Sequence, residues 1–136
     1  MMNTVKIGGR KVGDQHPCFI SFEAGATHGG LESAMSLCKA AKDAGADAVK
    51  FQSYKADKLA SINSPAYWDL NEESSINQFS LFKKFDKFNQ DDYIYLSKFC
   101  KDLNIDFAST PFDLESVDYL EKLVSYYKIS SSDITN

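Results

Sequence analysis

Two lysines stand where apolar runs end: Lys50 in Ala48-Val49-Lys50-Phe51-Gln52, and Lys128 in Tyr126-Tyr127-Lys128-Ile129. An ammonium among apolar neighbours is costly to bury unless it is paired. Each lysine therefore reads as a clamp for phosphate or carboxylate, or as a Schiff-base nucleophile. The plain alternative is a lysine that snorkels to the surface. Together the two would make a basic spot suited to a multiply charged anion. Ser109-Thr110-Pro111 adds hydroxyls and a turn leading to Asp113. Hydroxyls and helix N-termini suit phosphate, although simple turn and cap chemistry would use the same residues. Glu23 follows Phe19, Ile20 and Phe22; it could orient substrate hydroxyls or move a proton, or merely pair with a lysine. Gln52 lies two residues beyond Lys50, on the same side of a strand, where it could hydrogen-bond a sugar. Ser131 and Asp133 follow Lys128 and could supply phosphate-binding and proton-transfer groups.

The other reactive side chains form no such set. His28 falls in a loop after an apolar run and could face a ligand, whereas His16, before Pro17, reads as structural. Two distant histidines and scattered acids make no recognisable metal site. Cys18, Cys38 and Cys100 are odd in number and far apart, so they read as buried free thiols of a cytoplasmic protein. The 136 residues carry a net charge of −4, which argues against a nucleic-acid partner but not against a small anion. No apolar run approaches the roughly 20 residues that span a bilayer, and residues 1–13 have no signal-peptide core.

These groups must be positioned by elements that the pattern also predicts. Val5 to Val12 alternates around Gly8-Gly9, a hairpin signal. Strands are expected at Cys18–Glu23, Asp47–Gln52, Ile105–Ser109 and Tyr126–Ser130. Helices are expected at Leu31–Ala44, stopped by Gly45, then at Phe79–Phe85, after Asn89, and at Leu114–Leu123 behind an Asp113 cap. Tyr54–Leu59 reads as extended or turn-like. Ser61–Asn77 is a polar excursion around Trp68, of the kind that is often functional or mobile. A hairpin followed by β-α-β-α-β-α-β implies a parallel sheet with right-handed crossovers, its strands covered on both faces. Four strands and three main helices are half of a (β/α)8 TIM barrel, whose usual size is roughly 250 residues. The expectation is one partial domain over residues 1–136, truncated after the fourth strand. Every candidate group then lies at the carboxyl ends of the strands, where such folds bind ligands.

Taken in order, the motifs resemble the amino-terminal portion of the sialic acid synthase family, which includes N-acetylneuraminate, legionaminate and pseudaminate synthases. They are Ile7-Gly8 to Gly13-Asp14, Glu23-Ala24-Gly25 with His28-Gly29, Ala44 to Gln52, Ser109 to Asp113, and Tyr127 to Asp133 with Asn136. The likeness runs from about Lys6 to Asn136; each motif alone is weak, and the ordered set with matching spacing is specific. The resemblance implies a TIM barrel followed by an antifreeze-like domain, working as a domain-swapped homodimer. It implies condensation of phosphoenolpyruvate with an N-acylated amino sugar, assisted by a divalent metal (Mn2+ or Mg2+). The metal's two histidine ligands lie on later strands of the family, so none is expected in this chain. Carried over residue by residue, Lys50, Thr110, Lys128 and Ser131 match phosphoenolpyruvate-binding positions. Glu23 and Gln52 match sugar-side positions, and Glu23 and Asp133 are the expected catalytic acids, Asp133 for proton transfer. The chain departs from the family pattern at Ala24, Thr27 and Ser132. The last commonly is glycine, and a serine there would be disfavoured if the site required a positive φ.

The implied role is the amino-terminal part of a carbohydrate-biosynthetic transferase, inactive when isolated. The alternatives from the residues alone are a Schiff-base aldolase barrel using Lys50 or Lys128, and a non-catalytic remnant or complementing half.

Overall fold

β1 (Thr4–Ile7) and β2 (Arg10–Gly13) form the expected antiparallel hairpin, with Val5 opposite Val12. The structure, a computed structural model, describes residues 4–135; Asn136, part of the last motif, lies outside them. β3 (Ser21–Gly25), β4 (Ala48–Ser53) and β5 (Asp106–Pro111) form a separate parallel sheet in the order β3-β4-β5. α1 (Leu31–Asp43) connects β3 to β4, and α4 (Gln90–Asp102) leads into β5. Between β4 and α4 lie the short α2 (Ala56–Leu59) and α3 (Gln78–Phe85), and α5 (Leu114–Leu120) follows β5. The fold is thus mixed α/β with a parallel sheet. Among the described residues no helix is long and apolar enough to cross a membrane.

Period-two alternation divides the sheet into two unlike faces. Val49, Phe51 and Phe107 point to the helices and join Ala34, Cys38 and Ala41 of α1 with Leu96 and Cys100 of α4 in one buried cluster. The opposite face carries Glu23, Lys50, Gln52 and Thr110. The expectation of strands apolar on both faces therefore holds for only one of them. Helix ends follow local chemistry. Gly45 takes φ +81 just past α1, a conformation that costs glycine little. Asn89 accepts from the backbone of Asp91 and Asp92 while Asp92 accepts from Asn89 N, closing a capping box on α4.

Three expectations are corrected. Tyr126–Ser130 is not a strand. It makes no ladder with β5; side chains hold it instead, with the Tyr126 hydroxyl 3.2 Å from Ser21 Oγ and the Tyr127 hydroxyl donating to the Val117 carbonyl at 3.1 Å. Ile129 is left 57% exposed, so the run lacks the half-burial that stabilises a β-strand. Tyr54–Leu59 is not wholly extended: residues from Ala56 onward turn into α2, because the buried Asp86 carboxylate accepts the Ala56 backbone N–H (3.0 Å) and binds Lys55 (2.8 Å). Cys18 is exposed, lying in the irregular approach to β3, whereas Cys38 and Cys100 are buried with their sulfurs 3.5 Å apart.

The hairpin closes the amino-terminal end of the sheet. Arg10 pairs with Asp47, which precedes β4, and Asp47 also accepts the Ile20 backbone N–H at 2.8 Å. Gly8 packs directly on the Asp106 carboxylate at the start of β5.

Candidate functional site

Parallel register builds the site. Glu23 pairs with Lys50 and Lys50 with Ala108; one pleat further on, Gln52 pairs with Thr110. Paired residues of parallel strands share a face, so Glu23, Lys50, Gln52 and Thr110 line one surface near the strands' carboxyl ends. A register shift between Glu23 and Gly25 interrupts the β3 ladder just past the glutamate, and pairing resumes at Gly25 with Phe51.

Lys50 is buried, and its ammonium meets Glu23 Oε2 at 2.5 Å. The partners are unequal: the Lys50 side chain is 11% exposed and that of Glu23 54%. A desolvated cation thus faces a carboxylate that is open to solvent and free to swing away. Two of the sequence readings prove compatible, since Glu23 does pair with a lysine and that lysine is a candidate anion clamp. Thr110 is buried on the same face, and its Oγ1 has no hydrogen-bond partner among the described residues. An unpaired buried hydroxyl is expensive unless something completes it. A cation, an amide and an unsatisfied hydroxyl on one face, with the Glu23 side chain on its solvent side, can bind an oxyanion that also offers a polar body.

Support comes from behind the sheet, where periodicity alone gave no warning. Ser53 Oγ and Ser109 Oγ meet at 2.7 Å in full burial, tying the ends of β4 and β5 together. The Tyr93 hydroxyl donates to the Gln52 carbonyl at 3.0 Å, and burial pushes the Tyr93 phenol well above its ordinary range, so it stays a donor. The available signal was the position of Ser53 and Ser109, each two residues from an apolar strand residue on the helix-facing side.

The remaining expected residues are not joined to this group. Lys128 and Ser131 are exposed on the run after α5, and Asp133 is half-buried in a single 3-10 turn, Ser131–Asp133. No hydrogen bond or ion pair among the described residues links them to Glu23 or Lys50. Ser132 sits within that turn without a positive φ and bonds Ser130 Oγ at 2.8 Å, so serine is unstrained there. His28 packs its ring on Phe88 (4.3 Å between centroids) and Phe51 (5.6 Å), its Nδ1 accepting from Gly30 N at 3.4 Å. Burial lowers its pKa and favours the neutral ring. His16 donates its backbone N–H to Gly13 in the turn after β2, a structural contact. Among the described residues no three His, Cys, Asp or Glu side chains converge as metal ligands. The residues present thus do not by themselves fit a divalent cation.

Comparison with known proteins gives this surface a context. The model of the NeuB family matches residues 37–136. The chain is 43% identical over 136 residues to an N,N'-diacetyllegionaminic acid synthase of Legionella pneumophila, covering 96% of this chain and 38% of that protein. It is 32% identical over 130 residues to human N-acetylneuraminate-9-phosphate synthase, covering 94% of this chain and 36% of that protein. The crystal structure of an N-acetylneuraminic acid (sialic acid) synthetase from Leptospira borgpetersenii, in complex with citrate, superposes with a TM-score of 0.80 at 32% identity. That match covers 98% of this chain and 43% of the other. The chain therefore spans less than half the length of the proteins it matches.

Proposed function

Because the chain belongs to the NeuB, or sialic acid synthase, family, we propose that it is the amino-terminal half-barrel of an enzyme that condenses phosphoenolpyruvate with an N-acylated amino sugar. The product would be a nonulosonic acid. In this reaction C3 of the enol forms a bond to the aldehyde carbon of the open-chain sugar. Water adds its oxygen at C2, and inorganic phosphate leaves with cleavage of its C2–O bond. A divalent metal (Mn2+ or Mg2+), held by residues elsewhere in the parent protein, would polarise the aldehyde. The parent is proposed to act as a homodimer.

The observation that carries the reading is the buried Lys50 ammonium on the same face of the sheet as the Thr110 hydroxyl, which has no hydrogen-bond partner among the described residues. Lys50 would bind the anionic groups of phosphoenolpyruvate as Glu23 turns toward the sugar, and Thr110 would complete its hydroxyl's hydrogen bond on the same ligand. Gln52, its carbonyl fixed by Tyr93, would present its amide to a sugar hydroxyl. Lys128 and Ser131 would join the phosphate side and Asp133 the proton transfer if Tyr126–Ser130 pairs with β5 as a strand in the parent protein. Lys50 Nζ is engaged by the Glu23 carboxylate, an ion-pair geometry that suits a charge clamp better than a Schiff-base nucleophile.

Hydrogen exchange with and without phosphoenolpyruvate tests this. Saturable protection is expected at β4 and β5 around Lys50 and Thr110. Lys50→Met should weaken it about 10- to 100-fold, the loss of a charge-assisted hydrogen bond of about 1.5–3 kcal/mol. Absence of saturable protection there, or a borohydride-trapped pyruvate adduct on Lys50, would overturn the proposal.

A further inference from the structure

At the amino-terminal end of the sheet, opposite the polar face's ligand end, lies a cavity of about 830 Å³. Its walls are the loops that lead into β4 and β5, one face of α4, the run after α5, and the hairpin turn at Gly8 and Arg10. That end of such folds ordinarily serves stability. Although the protein's net charge is −4, the cations lining the cavity are Arg10, Lys42, Lys98, Lys101 and Lys122, against the carboxylates Asp47 and Asp106.

Arg10 and Asp47 offset each other in an ion pair, Asp47 also accepting from Ile20 N, which leaves Asp106, half-buried against Gly8, as the one carboxylate facing the lysines. Lys42 spends a donor on the Asn104 carbonyl at 2.7 Å. Lys98, Lys101 and Lys122 make no salt bridge among the described residues. Ile94, Ser97, Lys98 and Lys101 recur at i, i+3, i+4 and i+7, so one face of α4 presents both lysines to the cavity. Lys122 enters from the run after α5, and Phe107 and Leu123 supply apolar lining. The volume is that of a small-molecule site, and lysines act as point-charge binders of phosphate.

We propose that this cavity is a second anion site, distinct from the Lys50 surface, for a small molecule bearing at least two negative charges of the phosphate type, with Lys98, Lys101 and Lys122 as its charge contacts. Because its wall includes the hairpin turn and the starts of β4 and β5, occupancy would brace the hairpin against the sheet. The site does not depend on the reaction proposed for the opposite end.

Inorganic pyrophosphate is the probe. Lysine acetylation by an N-hydroxysuccinimide ester, read residue by residue by mass spectrometry across a pyrophosphate titration, separates this site from Lys50 and Lys128. Saturable protection is expected at Lys98, Lys101 and Lys122, with the exposed Lys39 and Lys87 unchanged. In the Lys98→Glu/Lys101→Glu protein, the midpoint read at Lys122 should rise at least tenfold while amide protection in β4 stays as in the parent. Protection spread evenly over all exposed lysines, a non-saturating response at Lys122, or an unchanged Lys122 midpoint in the double variant would overturn the proposal.

Discussion

Thr110 separates a structural from a binding role at the scale of one atom. A threonine kept for stability would hydrogen-bond within the fold; here Oγ1 is buried with no partner among the described residues. Thr110→Val keeps the shape and removes the hydroxyl, so urea unfolding should show a protein as stable as the parent or more stable by about 1 kcal/mol. Phosphoenolpyruvate protection should meanwhile weaken. A destabilised valine variant with unchanged ligand protection would assign the hydroxyl to the fold. Much of this site was legible in the sequence: a lysine and a glutamine two residues apart on a strand must share a face. The partner of Lys50 was not legible. Glu23 is 27 positions earlier in the chain, and only register between β3 and β4 sets them opposite each other.

At the scale of elements, the segment between β4 and α3 is better ordered than its polar composition suggests. Pro65 and Asn77 form an isolated antiparallel bridge, and Asn77 caps α3 by accepting from Ser80 N at 2.7 Å. Trp68 Nε1 donates to the carbonyls of Glu73 and Ser75, each at 3.1 Å. The Glu73 carboxylate accepts from Ser75 N and Oγ and pairs with Lys84 at 2.8 Å. The Lys84 bond, then the bonds from Ser75, pull the Glu73 pKa from 4.5 down to about 2. A depressed folded-state pKa contributes stability that is fully present above about pH 4.5 and is lost as pH falls toward about 2. Trp68 is the sole tryptophan, so its emission should shift to longer wavelength within that window. Glu73→Gln should already show part of the shift at neutral pH and lose most of the acid-dependent change. An identical acid profile in parent and variant would mean that other carboxylates control the loop. Asp86 orders the other end of this segment, and a lone aspartate after Lys83-Lys84-Phe85 gave no sign that it would reach back to Lys55 and Ala56.

For the whole molecule, the decisive contact is between the hairpin and the sheet. Gly8 has φ +54, and a Cβ there would lie 1.4 Å from Asp106 Oδ2. Gly8→Ala should therefore cost about 1–2 kcal/mol from backbone strain alone. The contact with Asp106 adds to that unless the carboxylate turns away. The expected readout is faster amide exchange in β1 and β2 with β4 little affected. Equal acceleration in both sheets would show that the hairpin is part of the same cooperative unit as the core.

Local chemistry determined what local chemistry can. Gly8-Gly9 set a hairpin, Asn89 and Asp113 set helix starts, and the spacing of Ala34, Cys38 and Ala41 set a buried helix face, because turns, caps and helical periodicity act over a few residues. The residues that bear the motifs fixed the family. Tertiary structure alone decided which carboxylate meets Lys50, that Thr110 Oγ1 has no partner among the described residues, that Ser53 and Ser109 meet behind the sheet, and that five cations gather at its amino-terminal end. It also decided against a strand at Tyr126–Ser130. An apolar run becomes a strand only when a neighbour accepts its backbone hydrogen bonds and buries its side chains, and neither condition is written in the run itself.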